Sequence, residues 1–595
     1  MQILSVQPLR GPNLWSISTP LLIQVKLDFT AEHNISNQAL HTMFNVAKEH
    51  FSFLVSNDIL EVTEKLTQAT IKMAIYLQNQ AGFKLNYTAL KPTIKHGVYN
   101  AVYQYQDEKI GVDVIDLASE LIHLVIKNEN LTIKLQEYIE ALKVRKSELD
   151  IHLQKLIAAC ESSEIPYCMP DEDLNLHIGY GIRGKEISKE AFRETLNQFP
   201  ILFKNKAETT IPIIAVTGSN GKTTTTRLIA HILQSASYQI GFTTSDGIYV
   251  QGEMIDKGDT TGPYSAQMIL RNPKVEVAVL ETARGGIVRA GLGFKQCDMA
   301  IVTNVQNDHL GISDIETMEE LAKVKEVIVQ ALKTNGFAIL NADNHFTLQM
   351  GIKAKCKVAW FTTQAKNSVL NKKENDTLYV EHDKVYYQQA ADKTYIMDVK
   401  DIPITFNGTL GFMTQNALAA ILACLKFGIE PTIIAKGVSG FFPGETQTPG
   451  RMNIYQFKHC KVMVDFAHNP EGFLGIASFL KSINDTYKIG IIVGTGDRKA
   501  EDVTLLGKIS ASMFDHVLIH QVKFLRGQTA AHLIALLVKG MKEENPNISW
   551  QRVPDEMEPL LFALKMKKPE NSMIVALSDV LDEPAVLVKQ YQLTF

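Results

Sequence analysis

Residues Ile211 to Thr226 read IPIIAVTGSNGKTTTT, an apolar run that breaks into a turn with two glycines and then a lysine and four threonines. Residue types in this order suit the binding of phosphate. Backbone N–H groups of a glycine turn at a helix N-terminus form a concave donor array, and the helix dipole adds favourable charge. Gly218, Ser219, Asn220, Gly221 and Thr224 are the expected cradle, Lys222 reaches the terminal phosphates, and the Thr223 hydroxyl is a ligand for Mg²⁺. The common pattern G-x-x-x-x-G-K-[ST] calls for glycine where this chain has Val216, so the turn is not a generic P-loop.

Further candidates stand at the ends of apolar runs, where α/β sheets bind ligands. Glu281 closes VEVAVLE and is placed to share Mg²⁺ with Thr223; His309 follows TNVQND and suits a metal or phosphate. Arg451 in PGRMN is suited to clamp a phosphate across a cleft. Asp465, His468 and Asn469 in DFAHNP, and Asp497 and Arg498 in GTGDR, are polar groups at two successive strand ends. Together these residues fit the activation of a carboxylate by the γ-phosphate of ATP, followed by attack of an amine on the acyl phosphate. That chemistry needs metal and cations around the transferring group, and geometry that brings the amine to it.

The elements that must position these groups follow from periodicity. From residue 211 strands are expected at 211–217, 275–281 and 299–305, with helices at 222–236 and 316–333, which is an α/β domain with a largely parallel sheet. The rhythm restarts near 451, with strands near 452–457, 461–466, 488–494, 515–519, 548–553 and 573–578, a second Rossmann-like domain. Residues 1 to about 150 mix strands and helices in an α+β manner without a catalytic cluster, and 97–126 reads as strand, turn, strand, then helix. Gly179 to Gly184 matches G-x-G-x-x-G but lacks its strand–turn–helix context, so it reads as a loop or hairpin. A net charge of −4 gives no reason to expect nucleic acid. Six scattered cysteines without metal-ligand spacing suit a reduced cytoplasm. The N-terminus lacks the pattern of a signal peptide, and no apolar run approaches the ~18 residues of a membrane span.

The motifs together resemble the Mur ligase superfamily: TGSNGKTT, Glu281, Asn304 with Asp308-His309, NAD at 341–343, Asn416, PGRMN, DFAHNP and GDR. Within it, ETARGGIVRAGLG, NVQNDHLG, LRGPNLWS, GVYNAVYQYQDE and HIGYGIRGKEIS are most similar to the cyanophycin synthetase family, a resemblance over nearly the whole chain. It implies an N-terminal α+β domain at 1–160, a linker remnant at 161–210, a central ATPase domain at 211–448 and a C-terminal Rossmann-like domain at 449–595. By position it implies that Lys222 and Thr223 hold phosphates and Mg²⁺, Glu281 a first Mg²⁺ and His309 a second. Asn304, Asp343, Asn416 (at the adenine) and Asp465 would serve the nucleotide, and Arg451 the γ-phosphate. Lys325 matches the superfamily's carbamylated lysine, with Lys323 the alternative. Arg284, His468, Asn469, Asp497 and Arg498 would face the substrates.

Three departures qualify this picture. Residues 179–211 leave no room for the ATP-grasp domain that adds aspartate in that family, so the chain is not expected to polymerise aspartate alone. The loop after VLIH offers Lys523 and Arg526 where a guanidinium substrate wants paired carboxylates, which turns the expectation from arginine toward a more acidic amino acid. Met413 stands where the superfamily usually has another asparagine near the base. The resulting expectation is an ATP- and Mg²⁺-dependent ligase, a cytoplasmic homo-oligomer joining an amino acid to an aspartyl-peptide carboxylate, with a separate ATP-grasp protein as a partner. The rival is a non-catalytic nucleotide-binding scaffold paired with a complete synthetase. A folylpolyglutamate-type ligase fits the turn but not the first 190 residues.

Overall fold

A computed structural model describes residues 1–19, 21–32, 34–47, 61–168, 175–308, 310–371, 375–390, 392–483, 486–494, 496, 498–520, 525, 527–577, 588 and 590–591. The chain forms two compact units. The first comprises Met1–Ile211, Gly262–Pro273 and Arg284–Gln296; the second comprises Pro212–Thr261, Lys274–Ala283 and Cys297–Phe595.

In the first unit an antiparallel sheet runs in the order Gln2–Leu9, Leu22–Asp28, Val98–Gln104, Thr88–Pro92. Alternation along Leu22–Asp28 puts Ile23, Val25 and Leu27 into a core shared with the helices Val62–Gln80, Glu108–Lys127 and Thr132–Glu148. The stretch 97–126 contains one strand, not two. Val98–Gln104 passes almost directly into the helix because the Asp107 carboxylate accepts the N–H of Ile110 at 2.9 Å and caps it. Residues after 150 build a smaller core of Leu156, Cys160, Ile178, Phe192 and Phe199. Within it Gly181–Arg183 is a single 3₁₀ turn between the antiparallel strands Leu176–Ile178 and Lys185–Ile187, the hairpin expected of the glycine motif.

The second unit has two sheets. The larger runs, edge to edge, Glu253–Lys257, Gly247–Val250, Ile240–Thr243, Val277–Glu281, Ile213–Thr217, Cys297–Val302, Leu332–Asn341, Lys357–Thr362, Asp376–Glu381, Lys384–Gln389, Asp392–Asp398. It is parallel from Ile240–Thr243 to Asp376–Glu381 and antiparallel at both ends. Later strands add on both sides of Ile213–Thr217, so its C-terminal end lies at a topological switch point, where crevices open in such sheets. The helix Lys222–Ser235 starts there, and Gly411–Phe427 packs beside it in the same core. The smaller sheet runs Asn453–Gln456, Cys460–Asp465, Ser572–Leu577, Lys488–Ile492, His516–Ile519, Ser549–Arg552, parallel but for its first pair. All six of its expected strands are present. The fold class is multidomain α/β with an α+β N-terminal part. No helix among the described residues is long and apolar enough to cross a membrane.

Candidate active site

Ile213–Thr217 is buried throughout and delivers the chain into the turn 218–221. Both glycines are required there. Gly218 has φ +155° and a Cβ on it would lie 1.9 Å from Thr303 Oγ1; Gly221 has φ +86° and a Cβ there would meet Asn416 Oδ1 at 2.0 Å. The neighbouring strand Cys297–Val302 ends in residues that pin the turn. Thr303 Oγ1 donates to the Asn220 carbonyl at 2.6 Å, Asn304 Oδ1 accepts the Asn220 N–H at 2.9 Å, and the Asn304 carbonyl accepts the Ser219 N–H at 3.1 Å. The N–H groups left for an anion are those of the first helical turn, which have no intrahelical acceptor. Lys222 Nζ curls over the turn and donates to the carbonyls of Gly218 and Ser219 at 3.1 and 3.0 Å. Thr224, in the first turn of that helix, is buried.

Glu281 ends the adjacent strand, in parallel register with Val216. Its side chain is buried and Oε2 has no hydrogen-bond partner. Burial pushes its carboxyl pKa up, against the opposing pull of Lys222, a hydrogen bond from Thr223, and Arg451. Thr223 Oγ1 lies 3.2 Å from Ser245 Oγ, and Arg451 Nη2 donates to the same hydroxyl at 3.4 Å. Ser245 was not singled out in the sequence; its signal is a serine just past the end of the Ile240–Thr243 strand. Its loop is fixed by Arg227, which pairs with Asp246 and lies 4.6 Å over the Tyr249 ring.

The orphaned carboxylate oxygen and the nearby threonine hydroxyl are hard oxygen donors, and they fit Mg²⁺. That ion binds through one or two protein carboxylates and takes its remaining ligands from phosphate and water. Among the described residues no three His, Cys, Asp or Glu converge on a metal position.

Arg451 arrives on a tight turn, with φ of +65° at Gly450 and +53° at Met452. Asp465 sustains it, accepting the N–H groups of Met452 and Ala467, each at 2.8 Å. The guanidinium lies 4.1 Å over the Phe466 ring. Burial pushes its pKa down while Asp465, Glu281 and Asp246 pull it up. Lys222, Thr223, Glu281 and Arg451 therefore come together. Asn416 abuts Gly221, with its amide nitrogen 3.7 Å from the Met413 sulfur. The Asp343 carboxylate is held by Thr362, by the Thr363 N–H and hydroxyl, and by Asn367, and thereby fixes the loop at the end of the Lys357–Thr362 strand.

Lys325 is buried on the helix Met318–Gln330. His468 Nδ1 lies 2.8 Å from the Phe466 carbonyl, Asn469 caps Pro470–Ser482 and bonds to Asn220, and Arg498 pairs with Asp308. Arg284 belongs to the first unit. His309, Asp497, Lys523 and Arg526 lie outside the described residues.

Three family models match this chain: the cyanophycin synthase-like N-terminal domain over residues 42–127, the Mur ligase middle domain over 216–424, and the Mur ligase, glutamate ligase domain over 450–580. The cyanophycin synthetase of Geminocystis herdmanii is 42% identical over 397 residues, covering 66% of this chain and 45% of that protein. The chain resembles the cyanophycin synthetases. No ATP-grasp domain is matched. The chain spans less than half the length of the curated cyanophycin synthetases it matches. A UDP-N-acetylmuramoyl-L-alanyl-D-glutamate–2,6-diaminopimelate ligase of Caldanaerobacter subterraneus is 24% identical over 412 residues, covering 68% of this chain and 80% of that protein. Among solved structures, Escherichia coli FolC in complex with DHPP and ADP superposes at a TM-score of 0.48 and 18% identity, covering 64% of this chain and 89% of that one. Lys222, Thr223, Glu281 and Arg451 all fall within the two Mur ligase matches, outside the cyanophycin-synthetase-like N-terminal one.

Proposed function

We propose that this chain is an ATP- and Mg²⁺-dependent ligase that forms an amide between an acceptor carboxylate and an amino acid through an acyl phosphate. The observation that carries the reading is the buried Glu281 carboxylate, with one oxygen unpartnered, facing Lys222, Thr223 and Arg451. An unpaired buried carboxylate is costly, and a site that meets cations and a hydroxyl there is built for a charged ligand.

Thr223 and Glu281 would hold Mg²⁺, which supplies charge neutralisation at the phosphates. The first-turn N–H groups of Lys222–Ser235 receive phosphate oxygens, and Lys222 Nζ exchanges its two loop carbonyls for the terminal phosphates. Arg451, buried against Phe466, offers a guanidinium to the transferring phosphoryl group. Asp343, Asn304 and Asn416 shape the nucleotide side of the crevice; Lys325 is the proposed carbamylated lysine and His309 a ligand to a second Mg²⁺. His468, Asn469, Asp497, Lys523 and Arg526 are proposed to serve the incoming amino acid, and Arg284 the acceptor.

The acceptor is proposed to be an aspartyl peptide or a related cyanophycin fragment, on the likeness to cyanophycin synthetases. Because residues 179–211 leave no room for an ATP-grasp domain at that point of the chain, we propose that it does not polymerise aspartate by itself and that a separate ATP-grasp protein supplies its acceptor. We place it in the cytoplasm as a homo-oligomer. The test is phosphate release from ATP and Mg²⁺ by the purified protein, scanned over the amino acids with a panel of aspartyl peptides. Release that requires both one acceptor and one amino acid is the expected result. Silence across the panel while ATP still binds would replace the ligase with a nucleotide-binding scaffold.

A further inference from the structure

Inside the second unit, the loop that follows Cys297–Val302 is gripped from two sides. On the phosphate side, Asn304 and Gln306 bond to the turn: Ser219 Oγ donates to the Gln306 carbonyl at 2.9 Å, and the Gln306 N–H returns a bond to Ser219 Oγ at 3.0 Å. On the other side stand residues of the smaller sheet's layer. Arg498 pairs with Asp308, with side chains only 3% and 11% exposed. Asn307 donates to Asp502 at 2.8 Å, and Lys499 lies 3.6 Å from Glu316. Asn469 completes the link, donating to Asn220 Oδ1 at 3.0 Å and approaching Asp308 at 3.5 Å. Asn220 is itself a residue of the phosphate-binding turn.

We propose that Asp308 and Arg498 are a clasp that couples the seating of the smaller sheet's layer to the conformation of the phosphate-binding turn, which makes Arg498 a positioning residue that acts through Asp308 and Asn469. Two buried charges of opposite sign leave water only when both layers are in place, so the pair favours one seating over all others. Loss of either partner strands the other charge. From the smaller layer the Asn469 amide reaches the turn, and its geometry is set by that seating. Closure is thereby registered at Asn220, next to Gly221 and Lys222. The inference rests on the ligase reading for its turnover readout alone.

The test compares the full-length protein with its Arg498→Met, Arg498→Lys and Asp308→Asn variants by amide hydrogen exchange, with and without ATP and Mg²⁺. Both Arg498→Met and Asp308→Asn should raise exchange at least tenfold at 304–308 and also at 218–221. Exchange in the Lys488–Ile492 strand, which reports the fold, should not change. Arg498→Lys, which keeps the charge, should recover part of the protection. Where the protein turns over, kcat should fall at least tenfold with the KM for the amino acid within about twofold. Unchanged exchange at 218–221 in both neutral variants overturns the clasp. A raised KM for the amino acid with unaltered exchange would make Arg498 a substrate contact instead. The exchange arm decides the matter even if no ligase activity is found, so the two readings fail separately.

Discussion

Lys222 donates to the carbonyls of its own turn, so its removal costs little structure. Lys222→Ala should therefore leave the thermal midpoint within a few degrees while lowering ATP turnover by about 10³-fold or more, since it removes the charge proposed to serve the terminal phosphates. Comparable turnover in that variant, measured by phosphate release, would detach the chemistry from this turn. Glu281 is the converse case. Its burial favours the neutral form over the carboxylate, so Glu281→Gln should stabilise the fold by about 1 kcal/mol. The same change should weaken Mg²⁺-dependent ATP binding at least tenfold, which equilibrium dialysis of ATP with and without Mg²⁺ would show. A variant that lost both stability and binding would make Glu281 structural. That Lys222, Thr223, Glu281 and Arg451 would meet was legible from the sequence because each stands beside a strand end. Ser245 was not, because a serine just past a strand end is too common to single out before its loop is seen to meet Thr223 and Arg451.

At the scale of elements, His177 lies on the short strand Leu176–Ile178, where burial and the nearby Arg271 push its pKa down to about 4. The folded chain thus holds His177 neutral while the unfolded chain protonates it first as the pH falls below about 6.5. Stability from this strand is complete above pH 6.5 and is lost as the pH falls toward 4, by up to about 3 kcal/mol. Amide exchange of 176–187 at pH 7 and pH 4.5 should show that loss, and His177→Gln should flatten it; a pH-independent opening energy in the wild type would contradict the assignment. Element existence was readable wherever periodicity was strong: all six strands of the smaller sheet were expected in place. The miss at 97–126 has a local cause. Residues 105–107 look like the close of a hairpin, but Asp107 turns the chain into a helix by capping Ile110, a choice between two uses of one carboxylate that alternation does not reveal.

At the scale of the whole molecule, the chain passes from one unit to the other five times, at 211, 261, 273, 283 and 296. Periodicity holds no sign of this, because the two excursions carry ordinary helices, Pro263–Arg271 and Arg284–Ala290. Ile269, Leu270, Ile287 and Phe294 are buried apolar residues that belong to the first unit. A fragment beginning at residue 212 would carry them without that unit, and it should aggregate on expression more than the full chain does. A monodisperse, cooperatively unfolding fragment, seen by gel filtration and thermal scanning, would contradict this division. The same interleaving sets a clock on biosynthesis. Residues 1–211 cannot finish their unit until the following 85 residues, 212–296, have been made. At roughly 5–20 residues per second that is a wait of about 4–17 s, far longer than local helix formation or hydrophobic collapse takes. The newborn N-terminal part must pass that interval incomplete, its unfilled surfaces open to chaperones while the ribosome is still at work.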